Sequence, residues 1–287
     1  MLLKIPLLIT LLVIASCNTD SCNKNTLNPQ KESQSLYDSD FEKLGEPEQG
    51  SWRSIYREEP QTLEDYLQEA KNIKSEANNT IYIQPLGEMN VTYTAVLKKM
   101  CEYAEIFFNC KTIILEQKPL FENCYVESRG QYNASSLTRW LVYSYKPDDT
   151  IAIIGITNVD LYSGTLNFVF GQGSLQDGAG VYSLRRLETT DETLFLRRSI
   201  GLMSHEMGHI FSIKHCVFYK CLMNGANSLA ESDSQPLHLC PIDLEKLKCN
   251  VKFDTVEWYK KLMAFYKENN LQKEAEWVER RIANISK

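Results

Sequence analysis

Three of the four histidines in this 287-residue chain fall within eleven positions, in the run His205-Glu206-Met207-Gly208-His209 and then His215. Side chains four apart share one face of a helix, so His205 and His209 can direct their imidazoles at a single metal ion. Glu206, next to the first of them, is placed where its carboxylate can reach water at that metal without ligating it. A third histidine six residues beyond the second cannot stay on the same helix and still converge, so the chain must turn after His209. With His215 the set becomes three histidines and an open fourth position, the coordination that hydrolytic zinc requires. Zinc tolerates tetrahedral nitrogen ligation and has no redox chemistry of its own. An amphipathic helix with two surface histidines explains most bare His-x-x-x-His pairs, but not the added glutamate and third histidine.

The residues that follow narrow the family. Cys216 comes directly after His215, then Cys221-Leu222-Met223, then Cys240-Pro241-Ile242-Asp243. The combined pattern resembles that of the archaemetzincins, archaelysin-type zinc metallopeptidases with HExxHxxGxxHC, then CxM, then CxxC. The resemblance implies a catalytic zinc on His205, His209 and His215, with Glu206 as general base. It implies a second, structural zinc on the cysteines, and a methionine, here Met223, packed beneath the catalytic metal. It also implies a metzincin-like α/β (α+β) fold: a mixed sheet with backing helices, an active-site helix, and a zinc-bound loop and helical C-terminal part. In an extended turn the side chains of His215 and Cys216 diverge, so neighbours in sequence can serve two different metals.

Two positions depart from the family pattern. Ser212 stands where the pattern has glycine, at the point where the active-site helix should break. A left-handed backbone there costs a serine roughly 1 kcal/mol, unless the turn differs. Asp243 replaces the last cysteine; carboxylate is a legitimate zinc ligand, so Cys216, Cys221, Cys240 and Asp243 remain a candidate set, with Cys249 as a further one. The alternative is that the second site is lost and its cysteines are buried thiols or a disulfide.

The amino terminus carries a different signal. Lys4, an apolar run from Ile5 to Ile14 and small residues to Ser16 describe an export signal over 1–16, too short to span a bilayer. Ile14-Ala15-Ser16-Cys17 matches a bacterial lipobox, so Cys17 is the expected lipidation site and the bacterial cell envelope the expected location. A plain cleaved signal with an incidental cysteine is the alternative. Several acyl chains would anchor the protein to the membrane stably. Residues 17–60 are polar and read as that lipidated cysteine followed by a flexible tether. The catalytic domain is expected over 61–250, with C-terminal helices packed on it over 251–287.

Within that domain the periodicity predicts a helix over 62–76, a strand over 80–85, an amphipathic helix over 92–108 and a strand over 111–117. A helix over 135–145 and a central buried strand over 150–156 follow, the latter apolar almost throughout. Strand, helix, strand, helix, strand implies parallel pairs. The segment 166–171 alternates like a half-exposed strand; 166–174 is the candidate edge for adding an extended peptide, or else a plain sheet edge. A strand over 181–184 precedes the active-site helix, which the run from Thr189 to Glu192 caps. Arg197 and Arg198 are expected on its solvated face. Among Cys101, Cys110 and Cys124 one disulfide or free buried thiols are both open. The tail over 255–285 reads as two helices with a break near Asn269-Asn270.

A net charge of −6 argues against a nucleic-acid partner. The expected activity is therefore hydrolysis of peptide or protein substrates by a zinc-dependent peptidase. A catalytically weak, zinc-binding envelope module, suggested by Ser212 and Asp243, is the alternative from another class.

Overall fold

Thr150–Thr157, the most continuously apolar run in the body of the chain, is buried at every residue and lies at the centre of the main sheet. The computed structural model describes residues 38–286, so the export signal, Cys17 and the tether up to residue 37 lie outside the described residues. Two short helices come first, α1 (Trp52–Ile55) and α2 (Leu63–Glu69). Then follow β1 (Thr80–Leu86), α3 (Val91–Phe107), β2 (Lys111–Ile114), β3 (Tyr125–Val126), β4 (Gln131–Asn133), α4 (Ala134–Tyr145) and β5, the central run itself. β6 (Leu161–Tyr162), β7 (Gly171–Ser174) and β8 (Ala179–Ser183) lead into the long helix α5 (Glu192–Ile210). α6 (Leu229–Ser234), α7 (Pro241–Val251), α8 (Thr255–Glu268) and α9 (Gln272–Ile285) complete the described chain.

The main sheet has the order β2-β1-β5-β8-β7. β1 runs parallel to both β2 and β5, and β5 parallel to β8, while β7 closes one edge antiparallel to β8. The strand period of two then sorts side chains between two layers. Ile81 and Ile83 of β1, with Ile154 and Ile156 of β5, join α3 and α5 in one core. Tyr82, Ile153 and Val181 point the other way and pack against Leu137 and Leu141 of α4. The result is an α/β sandwich with parallel pairing, as the alternation of patterns predicts. Helix α8 covers α3, and α9, turned back at Asn270 in a left-handed turn (φ 58°), packs on α8. Trp258 Nε1 donates to the Phe107 carbonyl at 2.9 Å there, and the hydroxyls of Tyr103 and Tyr266 meet at 3.0 Å.

Two expectations about elements need correcting. The half-exposed strand expected over 166–171 is not formed; the edge strand is Gly171–Ser174, and 166–170 is a loop tied by Arg129 Nη2 to the Leu166 carbonyl at 2.7 Å. Phe168 lies under the Arg186 guanidinium, so its apolar character serves packing rather than strand pairing. The helix expected over 62–76 is only Leu63–Glu69, with a Thr62–Asp65 capping box at its start. Of the two alternatives left open for Cys101, Cys110 and Cys124, the structure has free thiols: all three are unpaired with one another.

Residues 38–60 are also not a tether; they run as a strap across the domain. The Asp40 carboxylate accepts from Arg281 Nη1 at 2.9 Å and from Asn284 Nδ2 at 2.7 Å, pinning the strap to α9. Phe41 is buried against Trp277, Tyr219 and His238. Backbone bonds Leu44 N to Phe218 O and Lys220 N to Glu42 O hold the next stretch. Among the described residues no helix is long and apolar enough to cross a membrane.

Candidate metal centres and cleft

Helix α5 carries the first half of the site. Asp191 caps it, its carboxylate accepting from Leu194 N at 3.0 Å. Met203, Met207 and Ile210 are fully buried and lock the helix against the sheet, which fixes the opposite face bearing His205 and His209. Phe211 ends the helix, and Ser212 adopts φ 72°, the left-handed turn that the glycine of the family pattern would supply. The turn brings His215 back over α5, so the three predicted histidines meet.

Their ring nitrogens decide what the cluster can do. His205 Nδ1 lies 2.8 Å from the Leu222 carbonyl and His209 Nδ1 2.7 Å from the Ile213 carbonyl. His215 Nδ1 lies 2.6 Å from Glu58 Oε1. Each partner is an acceptor, so each Nδ1 carries the proton and each Nε2 presents a lone pair. His205 Nε2 is 3.2 Å from that of His209 and 3.3 Å from that of His215. Lone pairs facing one another at this distance repel; they cannot hydrogen-bond. Tetrahedral ligation at a Zn–N distance of about 2.0–2.1 Å separates the nitrogens by about 3.3 Å, so the set fits a zinc ion. Burial draws the imidazoles down to about 4 at His205 and His215 and about 3 at His209, keeping them neutral and ready to ligate.

Glu206 faces the cleft one residue on. Its Oε2 accepts from Gly173 N at 3.1 Å, tying it to the edge strand β7, and burial raises its pKa. A β-carbon at Gly173 would stand 2.8 Å from the Glu206 carbonyl oxygen, so β7 approaches α5 closely only because this residue is glycine. Met223 is fully buried, and a β-carbon on Gly208 would overlap its sulfur; the methionine therefore packs directly under the histidine helix.

The second predicted set also converges. Ligand atoms of Cys216, Cys221, Cys240 and Asp243 lie within 4.8 Å of one another, all four residues buried. Cys216 Sγ and Cys240 Sγ are 3.6 Å apart, and Asp243 Oδ2 is 3.3 Å from Cys221 Sγ and 3.4 Å from Cys240 Sγ. Tetrahedral zinc with bonds of about 2.3 Å places sulfurs about 3.8 Å apart, so this donor set fits too. Cys240 N, at 3.1 Å, and Met223 N, at 3.5 Å, donate to Cys221 Sγ, as befits a thiolate. Asp243 Oδ1 accepts from Lys246 Nζ at 2.8 Å, and both residues are almost wholly buried. Burial lifts the Asp243 carboxyl to about 6. Cys249 stands outside the cluster and is disulfide-bonded. The fourth histidine, His238, stacks on Trp277 at 3.7 Å and joins neither set.

A cleft of about 550 Å³ opens over the histidines. Phe168, Phe170 and Leu202 line it, together with Trp52 and Tyr56 of the strap. Arg197 and Arg198, expected in solvent, are turned inward instead. Arg198 grips Asp233 through Nε at 2.8 Å and Nη2 at 2.6 Å, and Arg197 bonds the Gln235 carbonyl at 2.7 Å and Glu274 at 2.7 Å. They fasten the α6 loop that forms a cleft wall.

Comparison with known proteins supplies the remaining evidence. The family model for peptidase family M54 matches residues 80–249. Archaemetzincin-2 of Macaca fascicularis is 33% identical over 257 residues, covering 74% of this chain and 71% of that protein. The chain belongs to peptidase family M54. It is an archaemetzincin-type, zinc-dependent metallopeptidase acting on peptide or protein substrates. The crystal structure of archaemetzincin from Methanopyrus kandleri superposes with a TM-score of 0.55 at 28% identity, covering 63% of this chain and 99% of that one. The archaemetzincin of Archaeoglobus fulgidus, complexed with malonate, gives 0.52 at 31% identity, covering 58% and 99%. The family segment, taken as the part that the family model matches, begins after the strap, at residue 80.

Residues of that preceding strap reach the histidines, and the sequence pattern did not point to them. Glu58 bonds His215 across 157 positions, and Gln61 bonds Ser212 O and Lys214 N at 3.1 and 3.0 Å across more than 150. No local periodicity marks a contact at such separation. One of two adjacent glutamates, Glu58 and Glu59, in a polar stretch looks like any other surface acid.

Proposed function

We propose that His205, His209 and His215 hold the catalytic zinc and that Glu206 is the general base for peptide-bond hydrolysis. The carrying observation is the convergence of three unprotonated Nε2 atoms, 3.2–3.3 Å between the measured pairs, beside a carboxylate fixed to the edge strand. Bound zinc supplies a Lewis acid and brings the pKa of water to about 7. Glu206 takes the proton from the attacking water and later gives it to the leaving amine. Gly173 N orients the Glu206 carboxylate, and the aromatic walls of the cleft seat an extended peptide beside it. Cys216, Cys221, Cys240 and Asp243 hold a second, structural zinc, with Met223 packed between the two centres. The sequence supports export, lipidation at Cys17 and anchoring in a bacterial envelope membrane.

Two zinc ions per purified chain are expected. Chelator should abolish peptide cleavage, zinc should restore it, and Glu206→Gln should eliminate cleavage with both ions retained. A Glu206→Gln protein that cleaves at the wild-type rate would place the activity elsewhere. Cys17→Ala should move the protein from the membrane to the soluble fraction; unchanged membrane partition would rule out the lipid anchor.

A further inference from the structure

We infer that Glu58, from the strap ahead of the family segment, is a positioning residue that fixes the ring of His215 and with it the third nitrogen of the metal set. The inference rests on the assignment of the three histidines to the catalytic zinc. His205 and His209 are held by the rigid body of α5, and their Nδ1 atoms meet backbone carbonyls. His215 has no such support. It follows the left-handed Ser212 in a loop, and its Nδ1 bonds a side chain instead.

That side chain is itself fixed. Glu58 Oε1 accepts from His215 Nδ1 at 2.6 Å, while Oε2 accepts from Trp52 Nε1 at 3.0 Å. The Trp52 ring meets the His215 ring edge-on at 5.3 Å between centroids, and its backbone N donates to Glu231 Oε1 at 2.9 Å. Three residues on, Gln61 bonds Ser212 O and Lys214 N, bracing the backbone just before His215. A carboxylate on Nδ1 selects the tautomer with Nε2 bare, limits ring rotation and strengthens Nε2 as a donor to a cation. Carbonyls do this for the other two rings; only His215 gets an anion, and a charge-assisted bond is about twice as strong as a neutral one.

The competing explanation is that Glu58 merely latches the strap. Zinc dissociation constants from competition with a chromophoric chelator, on the full chain, separate the two. Loss of such an outer partner weakens metal binding by about 10–100-fold. Glu58→Ala should show that loss at the histidine site while the cysteine site keeps its ion, which also reports that the chain is folded. Glu58→Gln, which retains an acceptor without the charge, should fall between Glu58→Ala and wild type. Asp40→Ala removes the latch of the strap to α9 but leaves the Glu58–His215 bond, and should stay within about twofold of wild type. Glu58→Ala within twofold of wild type, or Asp40→Ala as weak as Glu58→Ala, overturns the inference. If wild type itself binds no zinc that His205→Ala removes, the metal assignment fails first, and the two failures are distinguishable.

Discussion

Ser212 shows how a departure from the family pattern is absorbed. Its φ of 72° costs a serine roughly 1 kcal/mol relative to glycine. In return its hydroxyl accepts from Lys71 N at 3.2 Å, and its carbonyl accepts from Gln61. Ser212→Gly would relieve the strain but lose the hydroxyl bond, worth about 1 kcal/mol. It would also loosen the unfolded chain by about 0.4–1 kcal/mol. The expected outcome is a net loss of roughly 0.5–1 kcal/mol in urea unfolding, the sum of these terms. A gain would mean the hydroxyl bond contributes nothing. Asp243 has its own compensation in Lys246. Asp243→Cys would restore the four-cysteine set yet strand a buried ammonium, at a cost of about 3–5 kcal/mol. The single variant should therefore be less stable, zinc-loaded, than Asp243→Cys with Lys246→Met. Equal melting temperatures would show that Lys246 does not depend on its aspartate.

At the scale of elements, what could be read in advance was whatever a local pattern fixes. The buried alternation of β1 and β5, the capped start of α5 and the helix spacing of His205 and His209 each follow from residues a few positions apart. The bounds of the edge strand did not, although it lies within the candidate edge 166–174. The alternation over 166–171 mimics a strand, but Phe168 and Phe170 face the cleft and the strand starts where the glycines are. Glycines have no side chain to register a period, so the pattern was silent at Gly171–Ser174. Their role lies in close approach: β7 can touch Glu206 only because Gly173 has no β-carbon. Gly173→Ala should push the edge strand from α5, lowering kcat/KM at least tenfold, about 1.4 kcal/mol in transition-state binding. Both zinc ions should stay bound. Wild-type kinetics in that variant would show that the contact between β7 and Glu206 is not needed for catalysis.

Across the whole molecule, the active centre is shared between the family segment and a strap that begins near Asp40. The family segment alone supplies all seven candidate metal ligands, the general base and the sheet that carries them. The strap supplies Phe41, buried against α9, the Asp40–Arg281 ion pair with both side chains mostly buried, and the Glu58 bond to His215. Burying a phenylalanine contributes about 1.5–3 kcal/mol, and a hydrogen-bonded, largely buried charge pair resists loss of one partner by about 3 kcal/mol. A domain of this size shifts about 2–4 °C per kcal/mol, so losing both should lower its Tm by roughly 10–20 °C. A chain beginning at residue 62 should therefore remain folded, since β1 to α9 are intact, but melt that much lower than one beginning at residue 38. It should also release zinc from the histidines sooner than from the cysteines, because the strap bonds His215 itself, whereas near the cysteine cluster its described contacts reach only His238 and the loop 218–220 between Cys216 and Cys221. Equal melting temperatures and equal zinc retention in the two chains would make the strap an ornament on a self-sufficient core.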